Sequence, residues 1–250
     1  HGPGQGSREG PALWLIISPL AMDLMPLHAP PLRFPDSDNN HLHSRHMDGF
    51  VDDTTIWVNH FESELSTSPN PQRTSTSLEA AAQWWEELLA TTGGALELPK
   101  CLYYIIGFKF NKEGSPQLQQ IEDMNTTPIL LQDSTTGTRT PITMKSPSSA
   151  HKTLGVMQSP DLSSQGEYQR LSKLVHDENI QLIPYRLNPL DSFTYMHCIL
   201  RPKLTYSSLV TNLSRIQWQK LQRPIQVTLL HNLGYPRSFP LAAALAPVSE

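Results

Sequence analysis

The chain is poor in cysteine and in charged side chains, and it has no long apolar run. Two cysteines among 250 residues make neither a disulfide framework nor a cysteine-based zinc site, so we expect a reducing, intracellular setting, cytoplasmic or nuclear. The longest apolar stretch, residues 14–22, is broken by Pro19 and is shorter than the roughly 20 residues that span a bilayer. We therefore predict a buried helix there and no membrane partner.

The chain does contain enough apolar material for a core, and its charge is unevenly distributed. Hydrophobic residues make up 38%, sufficient for one large domain or two small ones, while 22 prolines predict many loops. Residues 1–150 hold 9 basic and 17 acidic side chains, whereas residues 151–250 hold 10 basic and 6 acidic. An acidic front half suits cation binding and a basic back half suits phosphate binding, although ordinary surface variation produces similar patterns.

The most informative segment is the tetrad Phe50-Val51-Asp52-Asp53, in which two adjacent acids stand between β-prone stretches. The stretches on both sides predict a hairpin with the carboxylates at its tip. Adjacent carboxylates repel each other, and a bound divalent cation offsets that repulsion. The tetrad therefore favours a metal site, with a solvated turn as the alternative.

Three further short motifs accompany the tetrad. Gln5-Gly6-Ser7 precedes it, the segment Gly93–Cys101 follows it with Lys100 near its end, and Leu154-Gly155 comes later. In this order the four motifs resemble those in the palm of retroelement reverse transcriptases, whose catalytic hairpin reads aromatic-x-Asp-Asp. The stretch at residues 233–237 resembles part of the thumb, so the resemblance covers most of the chain.

The resemblance implies an α+β fold. Residues 1–156 would form a partial polymerase palm, an antiparallel sheet with packed helices, and residues 157–250 a mostly helical thumb. The implied activity is RNA-directed DNA polymerisation by two-metal nucleotidyl transfer, with Mg²⁺ or Mn²⁺ as the cofactor. The implied partners are an RNA template, a DNA primer, deoxynucleotide triphosphates and the rest of the retrotransposon polyprotein.

The resemblance also implies a role for each motif residue. Asp52 and Asp53 would hold the catalytic metals, with Asp52 coordinating both. Leu154 and Gly155 would shape the turn that grips the primer end. The nucleotide and template pocket would be lined by Gln5, Gly6, Ser7, Phe50, Val51 and Lys100.

Two departures from the family pattern bear on activity. Gly4 stands where the family usually has proline before the glutamine, which makes that loop more flexible. The upstream palm strand with a third metal-binding aspartate is absent from this sequence, so we expect the chain alone to be inactive. The alternatives are a non-catalytic nucleic-acid-binding remnant and, more distantly, a viral RNA-dependent RNA polymerase, whose hairpin usually has glycine where this chain has Val51.

The remaining patterns predict individual elements. His41, His43 and His46 lack cysteine partners, so they do not indicate a zinc site. The residues Leu209, Leu213, Ile216 and Leu221 predict one apolar helix face. Periodicity and breaker residues predict loops at 27–46 and 63–77, a strand at 102–108, a hairpin at 128–145, and helices that begin near Pro11, Thr76 and Pro224. Tyr168, Leu171, Leu174 and Val175 predict the apolar face of a further helix.

Overall fold

The computed structural model describes residues 10–36, 38, 41–50, 53–59, 70–124, 126–185 and 187–236. The chain divides into two compact units, unit 1 at residues 1–147 and unit 2 at residues 148–250. The fold is α+β, as predicted. Within the described ranges the strands form separate two-stranded sheets, and no larger sheet joins them.

The helices and strands follow one another along both units. Helices are α1 (Gly10–Leu24), α2 (Pro71–Thr91), α3 (Gln165–Leu182), α4 (Pro189–Thr194), α5 (Arg201–Thr205) and α6 (Arg215–Asn232), with a π-helical segment at Tyr195–Leu200 between α4 and α5. Short 3-10 turns lie at Met25–Leu27, Leu98–Lys100, Ile121–Asp123 and Tyr206–Leu209. Strands are β1 (Leu32–Pro35), β2 (Leu42–Arg45), β3 (Met47–Phe50), β4 (Asp53–Ile56), β5 (Leu102–Tyr103), β6 (Phe108–Phe110), β7 (Pro116–Leu118), β8 (Leu130–Gln132), β9 (Arg139–Pro141), β10 (Thr143–Met144), β11 (His151–Thr153) and β12 (Val156–Gln158). Strand β5 pairs with β10 in parallel, and the antiparallel hairpins are β1–β2, β3–β4, β6–β7, β8–β9 and β11–β12.

Helix α2 begins earlier than predicted and ends where predicted. Its N-cap is Asn70 and not Thr76, because the Asn70 side chain accepts the backbone N–H of Arg73 at 3.2 Å. After the last turn, Gly93 has a φ of 81° and the N–H of Gly94 donates to the Leu89 carbonyl at 3.0 Å. The glycine pair therefore closes the helix in the left-handed conformation that glycine adopts at no steric cost.

One stripe of α2 is shared by two hydrophobic clusters of unit 1. Ala81 and Trp85 are fully buried in the first cluster, together with Ala21, Met25 and Ala29. The neighbouring positions Leu78 and Ala82 pack against the second cluster, whose buried members are Leu98, Tyr103, Ile105, Met124, Ile129, Leu131 and Ile142. Leu96 packs against both clusters, so α2 and the segment after it join the two halves of this core.

Polar side chains of α2 hold the backbone around the β8–β9 hairpin. Gln83 accepts the N–H of Gln132 at 2.8 Å and donates to the carbonyl of the same residue at 3.1 Å. Gln72 makes a similar pair of bonds with Thr127. The buried carboxylate of Glu86 accepts the N–H groups of Leu96 and Ser134. These side chains satisfy backbone groups that the short strands leave unpaired.

Two segments of unit 1 differ from the prediction. Residues 27–46 are not all loop, since they contain the paired strands β1 and β2. Phe34 of β1 stacks on His43 of β2 with ring centroids 5.8 Å apart. The predicted strand at 102–108 is interrupted after Tyr103. There Gly107 accepts the Gln119 N–H, and the Gln119 amide oxygen lies only 2.5 Å from where a Cβ on Gly107 would be. The chain leaves β5 and enters the separate β6–β7 hairpin.

Unit 2 is built on α3 and α6. Their shared cluster contains Leu171, Val175, Leu200, Leu204, Leu213, Leu221, Ile225 and Leu229. Helix α6 starts with a capping box formed by Ser214 and Gln217. It continues through Pro224, so the prediction of a new helix there is wrong. In the predicted apolar face, Leu209 and Ile216 are exposed instead of buried. The predicted unit boundary after Val156 passes through β12, which contacts α3.

Adjacent tryptophans of α2 test the importance of its buried stripe. Trp85 is 1% exposed, whereas Trp84 is half-buried and stacks on His28 at 4.2 Å. We expect Trp85→Ala to lower the free energy of unfolding by about 3–5 kcal/mol and the matched Trp84→Ala by about half as much. Urea unfolding followed by circular dichroism measures both. Equal losses would contradict the packing described for α2.

Candidate functional site

The acidic hairpin predicted from the tetrad is present as β3–β4. Met47 pairs with Ile56, and Phe50 pairs with Asp53. The two residues between the paired strands, Val51 and Asp52, lie outside the described residues. Asp53 is exposed at the first position of β4.

Asp48 fixes the base of this hairpin. One carboxylate oxygen accepts Arg45 nitrogens at 2.6 and 2.8 Å, and the other accepts the indole N–H of Trp57 at 2.6 Å. The Arg45 guanidinium carbon lies 5.7 Å from the centre of the Trp57 ring, within the range of a cation–π contact. Both oxygens of Asp48 are therefore engaged, which makes this carboxylate a poor candidate for a third metal ligand.

The opposite side of the hairpin packs into the first hydrophobic cluster. Met47 and Ile56 contact that cluster, which contains Trp85 of α2. Gly49 lies directly against α1, because a Cβ at this position would be 2.0 Å from the terminal methyl of Met22. The hairpin backbone is thus supported by α2 and by a side chain of α1.

The fit of the hairpin to a divalent cation rests on carboxylate oxygens, the ligands that Mg²⁺ prefers. Asp53 offers one exposed carboxylate there. In the part of the chain that the structure describes, no three His, Cys, Asp or Glu side chains are grouped as metal ligands. Asp52 lies outside the described residues, and a metal bound at this hairpin would require Asp52 and Asp53 together.

The predicted nucleotide-pocket residues are only partly covered. Gln5, Gly6 and Ser7 lie outside the described residues, although α1 begins shortly after them, as predicted. Lys100 is exposed in the 3-10 turn Leu98–Lys100, which is anchored by burial of Leu98 in the second cluster. Among the described residues, no hydrogen bond or ion pair joins Lys100 to Asp53.

The Leu154-Gly155 motif forms the two-residue turn of the β11–β12 hairpin. Both residues have positive φ, 50° and 86°, which matches the right-handed twist of the paired strands. The hydroxyl of Tyr206 donates to the Leu154 carbonyl at 2.8 Å, and its ring lies next to Gly155. The motif is a two-residue hairpin turn with positive φ at both positions. Its role at a primer end stays a prediction.

A buried ion pair behind this turn was not anticipated from the sequence. Glu167 of α3 is fully buried and accepts the Met157 N–H at 2.8 Å and two nitrogens of Arg170 at 2.6 and 2.8 Å. Burial by itself raises the pKa of Glu167, but the bonds from Arg170 and Met157 outweigh it and hold the pKa below its usual value. Glu167 therefore fastens the hairpin to α3 as a carboxylate.

A second polar cluster joins α3 to the π-helical segment Tyr195–Leu200 and to α5. The Glu178 carboxylate accepts hydrogen bonds from the Tyr195 hydroxyl and from Lys203 Nζ. Burial raises the pKa of Tyr195, and the adjacent Glu178 carboxylate raises it further. The i,i+3 spacing of Glu167 and Arg170 is a local signal that points to their pairing. No local signal links Glu178 to partners 17 and 25 residues away.

Comparison with protein-family models gave no match, and comparison with curated proteins and with solved structures gave no significant match. In the described ranges, no helix combines the length and the apolar character needed to cross a membrane. The case for a function therefore rests on the sequence motifs and on the local geometry at the two hairpins.

The buried carboxylate makes unit 2 sensitive to acid. We expect Glu167→Gln to lower the free energy of unfolding at pH 7 by about 2–4 kcal/mol, because Arg170 then loses its charged partner. The folded pKa lies below the unfolded value of about 4.3, so this stabilisation is complete above that pH and is lost as the pH falls through the folded pKa.

Urea titrations of the wild type and of Glu167→Gln at several pH values measure this effect. The difference in unfolding free energy should shrink progressively as the pH falls below about 5. Asp177→Asn, which removes an exposed carboxylate from the same helix, is the control and should change stability by less than about 0.5 kcal/mol. A wild-type advantage that stays constant to pH 3 would contradict the assignment.

Proposed function

We propose that this chain is part of the palm, followed by the thumb, of a retroelement reverse transcriptase, and that β3–β4 carries the catalytic aspartates. The supporting observation is the strand register, in which Phe50 pairs with Asp53 and Asp52 is the residue before Asp53. That register suits the aromatic-x-Asp-Asp hairpin of the resemblance. The tight hairpin turn at Leu154-Gly155, in which both residues have positive φ, is consistent with a primer grip.

In the proposed reaction the 3′-hydroxyl of a DNA primer attacks the α-phosphate of a deoxynucleotide on an RNA template, and pyrophosphate leaves. Mg²⁺ or Mn²⁺, when bound, would neutralise charge on the attacking and leaving oxygens. Asp52 and Asp53 would hold the metal at the end of a hairpin whose base is fixed by Asp48. Lys100 would approach the triphosphate, and Gln5, Gly6, Ser7, Phe50 and Val51 would border the nucleotide and template.

Metal binding at the hairpin tests this proposal. Two carboxylates without a third bind a metal weakly, so we expect binding at about millimolar Mn²⁺. The bound Mn²⁺ should broaden the NMR signals of Gly49 and Thr54, which lie near the proposed site. Asp52→Asn/Asp53→Asn should abolish the broadening. Asp133→Asn, which alters a half-buried aspartate at the turn of β8–β9, should leave it unchanged.

Broadening that persists in the double variant would place the metal elsewhere and contradict the proposal. With the same protein, a primer-extension assay on an RNA template should show no nucleotide incorporation. Incorporation that depends on magnesium would contradict the expectation that these residues alone are inactive.

The second candidate is a non-catalytic nucleic-acid-binding remnant, and the charge of α6 is compatible with it. The sequence of α6 contains no acidic residue, and Arg215, Lys220 and Arg223 lie at exposed positions. In the described part of the chain, none of these three side chains forms an ion pair. Unpaired cations on one helix suit contacts with phosphates, a property that a polymerase and a remnant share.

Salt dependence measures whether α6 contacts phosphates. We expect Lys220→Gln/Arg223→Gln to reduce the slope of log affinity against log salt by about 1.5–2 for an RNA–DNA duplex, because each cation lost releases about one counterion fewer. Lys109→Gln/Lys112→Gln, which removes two charges from unit 1, is the matched control and should leave the slope unchanged. Equal effects from both double variants would contradict a role of α6.

A further inference from the structure

Helix α1 carries apolar side chains on both of its faces. The inner face, including Trp14, Ala21 and Met25, packs into the first hydrophobic cluster. The outer face, which we define to include the 3-10 turn after α1, leaves its aliphatic side chains exposed. These are Ile16 at 65%, Leu20 at 66%, Leu24 at 41% and Leu27 at 74%, whereas Leu15, which is 73% exposed, lies about 180° from Leu24 around the helix axis and outside this stripe.

A helix on the surface of a globular protein normally turns polar side chains to water. A continuous apolar patch on a helix marks an interaction site. The sequence of α1 has one charged residue, Asp23, and no Lys or Arg. It therefore lacks the cations that nucleic-acid phosphates or anionic lipid headgroups require. The chemistry of the outer face fits another apolar protein surface.

We propose that the outer face of α1 is a homodimer interface in which α1 of two copies pack antiparallel across a two-fold axis near Leu20. The same patch then serves both copies, as such symmetry requires. Ile16 of one copy faces Leu24 of the other, and Leu20 faces its counterpart. This inference does not depend on the polymerase proposal.

The charge and dipoles of α1 favour the antiparallel arrangement. Parallel packing would place the two Asp23 carboxylates side by side in an apolar contact, where like charges repel. Antiparallel packing about Leu20 separates them by six residues, about 9 Å along the helix axis. It also aligns the two helix dipoles in opposite directions, which is the attractive arrangement.

The size of the patch is sufficient for a weak but specific dimer. Four aliphatic side chains remove about 100 Å² each from water, so the pair of copies buries about 800 Å². That area is typical of weak, transient contacts, so we expect a dissociation constant on the order of 10 μM. A dimer should therefore form and dissociate over accessible protein concentrations.

Sedimentation equilibrium of the full chain from about 1 to 100 μM tests the proposal. We expect the wild-type mass to rise toward twice the monomer value and Ile16→Glu/Leu20→Glu to remain monomeric. The matched control is Leu162→Glu/Leu209→Glu, because these leucines are 87% and 92% exposed in unit 2, and it should dimerise like the wild type. A wild-type monomer at 100 μM, or dimerisation of Ile16→Glu/Leu20→Glu, would overturn the proposal.

Disulfide cross-linking tests the orientation and does not depend on the charged variants. In a Cys101→Ser/Cys198→Ser background, a mixture of Ile16→Cys and Leu24→Cys proteins should form the mixed disulfide in at least fivefold excess over either symmetric one. Predominance of the symmetric disulfides would indicate parallel packing and overturn the proposal. Failure of every pair to cross-link at 100 μM would also overturn it.

Discussion

Burial of one stripe of α2 is the constraint on which unit 1 depends. Trp85 and Ala81 have almost no exposure and bring together α1 and the side of the β3–β4 hairpin that carries Met47 and Ile56. Polar residues of the same helix hold the β8–β9 region through backbone hydrogen bonds. The position of the acidic hairpin is thus determined by residues about thirty positions later in the chain, which pack against Met47 and Ile56.

The features that could be predicted from the sequence depend on local backbone chemistry. The β-prone stretches on both sides of the tetrad predicted the β3–β4 hairpin, and a glycine pair predicted where α2 ends. The turn at Leu154-Gly155 belongs to the same class, because a two-residue hairpin turn needs two positive φ values and glycine supplies one readily. In each case the relevant residues are neighbours in the chain, so one sequence is enough to predict the feature.

The features that were missed depend on contacts between distant residues. Asn70 and Thr76 are both acceptable N-caps, and bonds from Gln72 and Ser75 to Thr127 are consistent with the earlier start. Helix α6 continues through Pro224 because the buried side chains of Leu221 and Ile225, on both sides of the proline, hold it in the cluster. At the candidate site, the engagement of Asp48 by Trp57 has no counterpart in any sequence motif.

We propose that the β3–β4 hairpin holds a divalent metal through Asp52 and Asp53. Crystals of this chain soaked in Mn²⁺ and measured for anomalous scattering test it most directly. We expect a peak between the two carboxylates, with no oxygen of Asp48 among the ligands. Ordered hairpin carboxylates with no peak beside them, in crystals that bind Mn²⁺ at other sites, would contradict it.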